Sequence, residues 1–321
     1  MSGWRVSLGA ASLLLLAGCS SVKVLLGYRV RLEKTPIASL EASLPHGLAP
    51  GERVPLVVKL QGRDGTPYLT EGAGKGKVLW EDLQVAATVV TVDAKGRVSL
   101  PRDPRASDGL AGRLVITLPS QPGLRTELAV PVRYDHPFTC EFRGRPGISG
   151  TDGSAGLDGS DGSMGSTDPD HPSPGGNGGS GDNGGDGQDG SRGGDGPAVE
   201  VRLALRPGPL VMASCEAGGD TFFYLVDPVG GSLTVASRGG AGGSGGKGGR
   251  GGRGGNGGMG SPGGSSGGDG LGGRDGWDGA PGADGPVTVV FDPAVKPYLG
   301  AIHLPEGPGV VLREGKVGPL W

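Results

Sequence analysis

The sequence is poor in the residues from which large cores and catalytic centres are built. Aromatic residues make up 4% of the 321 positions, and there are only four histidines and three cysteines. The histidines do not show the spacing of metal ligands, so we expect no zinc site. The net charge of −3 gives no electrostatic reason for binding nucleic acid.

The chain also lacks the signatures of common enzymes. No Gly-Lys-Ser/Thr phosphate-binding motif occurs, and the Gly-x-Ser-x-Gly patterns around Ser244 and Ser266 lie within low-complexity repeats. Asp182, Asp186 and Asp189 invite a calcium interpretation, but one imperfect match to a calcium-binding nonapeptide favours a solvated acidic face. We therefore expect a non-enzymatic protein with no catalytic residue, no cofactor and no metal.

The first 18 residues have the pattern of a signal peptide. Arg5 gives the N-terminal region a positive charge, and residues 6–16 form an apolar run too short for a stable membrane span. The run ends in Leu16-Ala17-Gly18-Cys19, which resembles the lipobox of bacterial lipoproteins. The resemblance implies that Cys19 is acylated and anchors the chain. In Gram-negative lipoproteins, a residue such as Ser20 rather than Asp after the cysteine implies export to the outer membrane. The leaflet is left open.

Residues 19–138 read as an all-β module. Apolar and polar residues alternate over 22–32, 38–44, 54–60, 114–118 and 128–132, and a longer β-rich run covers 78–92. Segments rich in Gly and Pro separate these stretches. Short strands at such spacing predict a sandwich, which we expect to be immunoglobulin-like.

Residues 139–321 contain the most regular pattern in the chain, with glycine at every third position. It resolves into four segments, 144–165, 175–196, 239–260 and 263–285, which we call glycine segments 1 to 4. Segments 2 and 4 each run into a β-like stretch beginning Gly-Pro, so we interpret the region as an internal duplication. Further strands are predicted at 210–215, 221–226, 233–236, 298–304 and 310–312.

A period of three is typical of an extended helix with three residues per turn. In segment 3 two of the three faces are glycine, so it suits the interior of a bundle, and segment 2 is similar but less pure. Segments 1 and 4 have essentially one glycine face, as edge members should. A valine is therefore expected to clash at Gly252 but not at Ser244.

Three interpretations of the segments stay open. The triplets resemble the polyglycine II-type helix bundles of a glycine-rich antifreeze protein family and of the glycine-rich domain of Obg GTPases. They also resemble collagen, although only Pro146 and Pro281 fall inside the segments, far below the ~15–20% imino acid content of collagen. A flexible glycine-rich linker is the third interpretation.

The two cysteines other than Cys19 are Cys140 and Cys215. In an exported protein such a pair suggests a disulfide, and two free buried thiols are the alternative. Taken together, the sequence predicts a lipid-anchored envelope protein with a structural, adhesive or display role, monomer favoured. The alternative is a ligand-binding module for an envelope protein or polysaccharide, and exposure of Leu271 and Trp277 would favour it.

Overall fold

The computed structural model describes residues 29–307 and 309–321. The expected signal peptide, Cys19 and residues 22–28 of the first predicted strand lie outside this part of the chain. The described residues form β-strands and short 3-10 helices, so the all-β prediction is confirmed. Over the same residues, no helix has the length and apolar character needed to cross a membrane.

The strands fall into two groups, one on each side of the first glycine segment. The strands before it are β1 (Ile37–Ser43), β2 (Arg53–Pro55), β3 (Val57–Gly62), β4 (Pro67–Leu69), β5 (Gln84–Thr88), β6 (Thr91–Val92), β7 (Arg97–Ser99), β8 (Gly112–Thr117), β9 (Arg125–Val130) and β10 (Pro137–Arg143). Those after it are β11 (Val199–Arg206), β12 (Leu210–Ala217), β13 (Asp220–Val226), β14 (Ser232–Arg238), β15 (Val287–Phe291), β16 (Ile302–His303) and β17 (Val310–Glu314). The 3-10 helices span Leu32–Lys34, Gly72–Gly74, Trp80–Asp82, Pro104–Ala106 and Pro293–Ala301.

The N-terminal module has three small antiparallel sheets, ordered β1-β3-β4, β2-β7-β6 and β5-β8-β9. Alternate residues of their strands point into one shared core, which includes Val58, Leu60, Leu114 and Ile116. The described end of the strand predicted for 22–32 is not a strand. Leu32 instead begins a 3-10 helix, with its buried side chain in the same core.

The C-terminal module stacks two sheets. One is the parallel sheet β10-β14-β16, and the other is the mixed sheet β13-β12-β11-β15-β17. Phe138 and Cys140 of the first sheet and Val201 and Val289 of the second belong to one core. The strand predicted at 298–304 is wrong over most of its length. Pro293 starts a 3-10 helix there, and the Asp292 carboxylate caps it by accepting the Ala294 N–H at 3.0 Å.

The two modules contact each other beside the C-terminal residues. Asp108 of the N-terminal module accepts a hydrogen bond from the Trp321 indole at 3.0 Å and forms an ion pair with Arg206. The Arg105 guanidinium lies 3.8 Å above the centroid of the Phe223 ring, and Phe223 packs edge-to-face on Trp321. These contacts tie the N-terminal module to the sheet that continues into the glycine segments.

The glycine segments extend the strands of the C-terminal module. β10 and β14 pair in parallel up to Arg143 and Arg238, and the next bond runs from Gly144 N–H to the Arg238 carbonyl at 2.8 Å. Segments 1 and 3 then continue side by side, with one bond every three residues. At the same end, segments 2 and 4 lead into the parallel pair β11 and β15.

Backbone hydrogen bonds join the segments into one bundle. Segment 1 donates to segment 3, segment 2 donates to segments 1 and 4, segment 3 donates to segment 2, and segment 4 donates to segment 3. Segments 2 and 3 therefore bond to all the others, whereas segments 1 and 4 lie on opposite edges. Segment 3, which has two glycine faces, lies inside the bundle. Its buried glycines are at 240, 243, 246, 249, 252, 255 and 258.

Close approach of the backbones explains why glycine recurs. A Cβ atom at Gly252 would lie 1.9 Å from the Leu157 carbonyl oxygen and 2.4 Å from its carbon, which are backbone atoms that cannot rotate away. The Gly252 N–H donates to the Asp182 carbonyl at 2.8 Å, while the Gly252 carbonyl accepts from Gly270 N–H at 2.8 Å. A larger residue at position 252 must push segment 3 away from segment 1, to which Leu157 belongs.

We predict that Gly252→Val lowers the melting temperature strongly and that Ser244→Val changes it little. Overpacking typically costs about 1–3 kcal/mol, and here bonds to two neighbouring segments are lost as well. Ser244 is exposed and gives up only a hydroxyl contact with Ser149 at 3.0 Å. Thermal melts at several protein concentrations test this.

Because all the bonding segments belong to one chain, the melting temperature should not depend on concentration. Equal, negligible effects of the two substitutions would contradict the packed arrangement. A concentration-dependent melt would instead favour a trimer.

Candidate functional site

The outer surface of the bundle consists of two side-chain faces. We call the first the segment-2 face. It combines the outward residues of segment 2 with the residues of segments 1 and 4 whose carbonyls accept from segment 2. Those residues are Arg145, Ile148, Thr151, Ser154, Leu157, Ser160 and Ser163 of segment 1, and Ser265, Gly268, Leu271, Arg274, Trp277, Ala280 and Ala283 of segment 4.

Asn and Asp side chains of segment 2 complete the backbone bonding of this face. Each accepts a hydrogen bond from an N–H of segment 4 that has no backbone acceptor in the repeat. The pairs are Asn177 with Ser265, Asn183 with Leu271, Asp186 with Arg274, Asp189 with Trp277 and Asp195 with Ala283, at 2.7–2.9 Å. These side chains hold segment 4 against segment 2 at intervals of three or six residues.

The segment-3 face lies on the opposite side of the bundle. It is formed by the outward residues of segment 3, including Lys247, Arg250 and Arg253, between two rows of aspartates. Asp152, Asp158 and Asp161 of segment 1 and Asp269, Asp275, Asp278 and Asp284 of segment 4 all accept N–H groups of segment 3, at 2.7–3.0 Å. The row of basic side chains is thus flanked by aspartates that also accept hydrogen bonds from backbone N–H groups of segment 3.

Two of these carboxylates have a lowered pKa with a clear cause. The Ala283 N–H, and after it the Arg192 side chain, lower the pKa of Asp195. The Gly248 N–H, and after it Lys247, lower the pKa of Asp275. Both carboxyls are fully exposed, so the cause is hydrogen bonding to the ionised form rather than burial.

Two of the three acidic residues singled out in the sequence, Asp186 and Asp189, therefore have a structural role that sequence reasoning missed. Asp186 and Asp189 accept backbone hydrogen bonds rather than forming only a solvated face. Within the described residues no cluster of His, Cys, Asp and Glu could hold a metal ion. The available signal was the recurrence of Asn and Asp on one face of segment 2, at residues 177, 183, 186, 189 and 195. Asn177 and Asn183 accept the same kind of hydrogen bond as the aspartates.

The segment-2 face also carries large apolar side chains in the open. Leu271 is 73% and Trp277 81% exposed, and Ile148 and Leu157 on the other edge are 78% and 74% exposed. The hydrogen bonds place them at matching levels. Residues 182 and 183 bond to Leu157 and Leu271, and residues 190 and 191 bond to Trp277 and Ile148. Two apolar pairs thus flank the polar row of segment 2.

The two described cysteines meet inside the C-terminal module. Cys140 of β10 and Cys215 of β12 are free and fully buried, and the thiols are hydrogen-bonding neighbours. The hydrogen bond with Cys140, together with burial, raises the pKa of the Cys215 thiol well above its usual range. The geometry brings the predicted pair together, while the disulfide itself stays a prediction. Cys19 lies outside the described residues.

Comparison of the chain with protein-family models, with characterised proteins and with solved structures finds no match. The two faces of the bundle and the modules that hold it are therefore the features that bear on its function.

We predict that Asp195→Asn together with Asp275→Asn flattens the acid dependence of stability. A lowered folded-state pKa means that the ionised carboxyl stabilises the fold. That contribution is present above the ordinary value of 3.8 and is lost as the pH falls through the folded value. Asparagine keeps an acceptor oxygen but does not titrate, as Asn177 and Asn183 already illustrate. Melting temperatures at pH 7 and pH 2.5 measure the difference.

The matched control is Asp170→Asn, in the loop between segments 1 and 2. Its carboxylate accepts no hydrogen bond from any described residue, so the acid dependence should follow the unmodified protein. If the double variant loses as much stability in acid as the unmodified protein, the aspartate caps do not contribute in the way described.

The cysteine pair gives a further prediction. If the chain is exported, we expect a Cys140–Cys215 disulfide, which closes a loop of about 75 residues and stabilises by roughly 4 kcal/mol in the chain-entropy model. Alkylation after unfolding without a reductant, followed by intact-mass measurement, should label neither residue. Two labelled thiols in the mature protein would end the hypothesis.

Proposed function

We propose that this chain is a non-enzymatic lipoprotein of the cell envelope that holds a rigid glycine bundle away from the membrane. The bundle would serve a structural, adhesive or display role in the outer membrane. The observation that carries this proposal is the repeated hydrogen bonding within one chain, which links each glycine segment to at least two others. Such a body presents side chains only on its outside.

The bonding pattern supports polyglycine II-type helices for the four segments. Bonds recur at every third residue and leave each segment in several directions, as expected for a helix with three residues per turn. At ~3.1 Å per residue, segments of this length would span about 65–70 Å. A flexible linker does not account for such bonds, and a collagen-like trimer would place them between chains.

The N-terminal module is proposed to be an immunoglobulin-like sandwich that separates the bundle from the lipid. Its sheets β1-β3-β4 and β5-β8-β9 are antiparallel and share one core, which supports that interpretation. The contacts of Asp108 with Arg206 and Trp321 would hold this module in a fixed position relative to the C-terminal module, which carries the bundle. Acyl chains on Cys19 would supply the anchor, with ~0.8 kcal/mol for each buried methylene.

Exposure of the segment-2 face favours a second candidate function, a module that binds an envelope polysaccharide or protein. Leu271 and Trp277 are exposed and do not pack on the β-strands, so their large apolar side chains are available to a partner. The apolar pairs on either side of a polar row would suit an extended partner lying along the bundle.

Expression in the native host tests the proposed lipid anchor. We predict that the unmodified chain is recovered acylated at Cys19 in the outer-membrane fraction. Cys19→Ala should remain an unprocessed, unacylated precursor. Fractionation with mass analysis of the N-terminal peptide measures this, and a soluble, unacylated mature protein would overturn the proposal.

The same host can test the segment-2 face. If it binds the purified envelope polysaccharide, Leu271→Ser with Trp277→Ser should abolish retention of that polysaccharide. Met259→Ser, at a 65% exposed position of the segment-3 face, is the control and should retain it. Unchanged retention by the double variant would reject this second function and leave the structural role in place.

A further inference from the structure

A cavity lies in the N-terminal module, away from the glycine bundle. It is a half-open cleft of about 700 Å³ between β2, the 71–73 loop, Trp80 and the turn that joins β6 to β7. Its walls are formed by Arg53, Val54, Pro55, Glu71, Gly72, Ala73, Trp80, Ala94, Lys95 and Arg97. A volume of this size lies within the usual ~300–1,000 Å³ of small-molecule sites.

The indole at the base of the cleft has an unsatisfied donor. Trp80 is only 7% exposed, and its Nε1–H has no acceptor among the described residues. Gly96 packs directly on the ring, and a Cβ there would lie 2.0 Å from the indole carbons and 2.6 Å from Nε1. The same glycine has a φ of 69°, so two constraints keep this turn closed over the indole. The turn also encloses Nε1, which has almost no exposure of its own, so the indole contributes an aromatic wall to the cleft rather than an open donor.

The cleft is also positively charged. Arg53, Lys95 and Arg97 line it, against the single carboxylate of Glu71. That carboxylate pairs with Arg29 at 3.4 Å. Asp93, on the adjoining smaller cleft, accepts the backbone N–H groups of Lys95 and Arg97. Its carboxylate also attracts the Arg97 and Arg53 side chains and offsets part of the positive charge, which leaves the cleft with more cations than acids.

We propose that this cleft binds a small organic anion, a carboxylate- or phosphate-bearing molecule of about disaccharide size. Its acidic group would lie against Arg53, Lys95 and Arg97, and its body would lie against the Trp80 side chain. Val54, Pro55, Ala73 and Ala94 supply a small apolar wall for the rest of the ligand. The site is independent of the proposed role of the bundle, since none of its residues belongs to a glycine segment.

Titration of the detergent-solubilised mature protein tests this proposal. The probes are a uronic-acid disaccharide, a sugar phosphate, inorganic phosphate and a neutral disaccharide. We expect one of the acidic sugars to bind and to shift the indole N–H resonance of Trp80, assigned by its absence in Trp80→Phe. The uronic acid and the sugar phosphate distinguish the two sources of negative charge. Binding should weaken with added salt, because the contact is ionic.

Matched variants locate the site. Arg97→Gln is expected to weaken binding about tenfold, the loss typical of one charge-assisted hydrogen bond. Arg63→Gln, which removes an exposed cation elsewhere in the same module, should leave the affinity unchanged. Melting temperatures confirm that the variants are folded. The proposal is overturned if no acidic probe binds, if the neutral disaccharide binds equally well, or if Arg97→Gln and Arg63→Gln bind alike.

Discussion

The structure depends on the missing Cβ atom at every third residue of the glycine segments. Without it, neighbouring backbones approach until amide and carbonyl groups bond directly, as Gly252 does with Asp182 and Gly270. The segments have almost no buried side chains, so the hydrophobic effect contributes little to their packing. Hydrogen bonds of about 0.5–1.5 kcal/mol each, repeated along the bundle, take its place.

Side chains complete the hydrogen bonding of the bundle. The repeat leaves some N–H groups of segments 3 and 4 without a backbone acceptor, and aspartates or asparagines of the adjacent segments take them. This explains why the surface is acidic without forming a metal site among the described residues. The bundle interior consists of glycine backbone, so the large apolar side chains have no apolar core to pack against. Leu271 and Trp277 are exposed because the interior has no room for them, and so they are free to contact a partner.

The β-modules set the order of the bundle. β10 and β14 leave the module in parallel, and the segments that follow them keep that relation through the bond from Gly144 to Arg238. Segments 2 and 4 return beside them into β11 and β15. The two pairs of glycine segments therefore bond to each other in the same arrangement as the strands that hold them. The core that contains Cys140 and Cys215 anchors this junction.

The sequence by itself determined the all-β class, the bounds of the four segments and the presence of two glycine faces on segment 3. These follow from spacing along the chain, because the period of a pattern reflects local geometry. It could not determine which segments bond, since every glycine triplet resembles the next and only the strand topology selects partners. The roles of Asp186 and Asp189, the meeting of Cys140 with Cys215 and the cleft at Trp80 were likewise decided by tertiary structure. Each brings together residues that are distant in sequence, and such contacts leave no periodic signal in the chain.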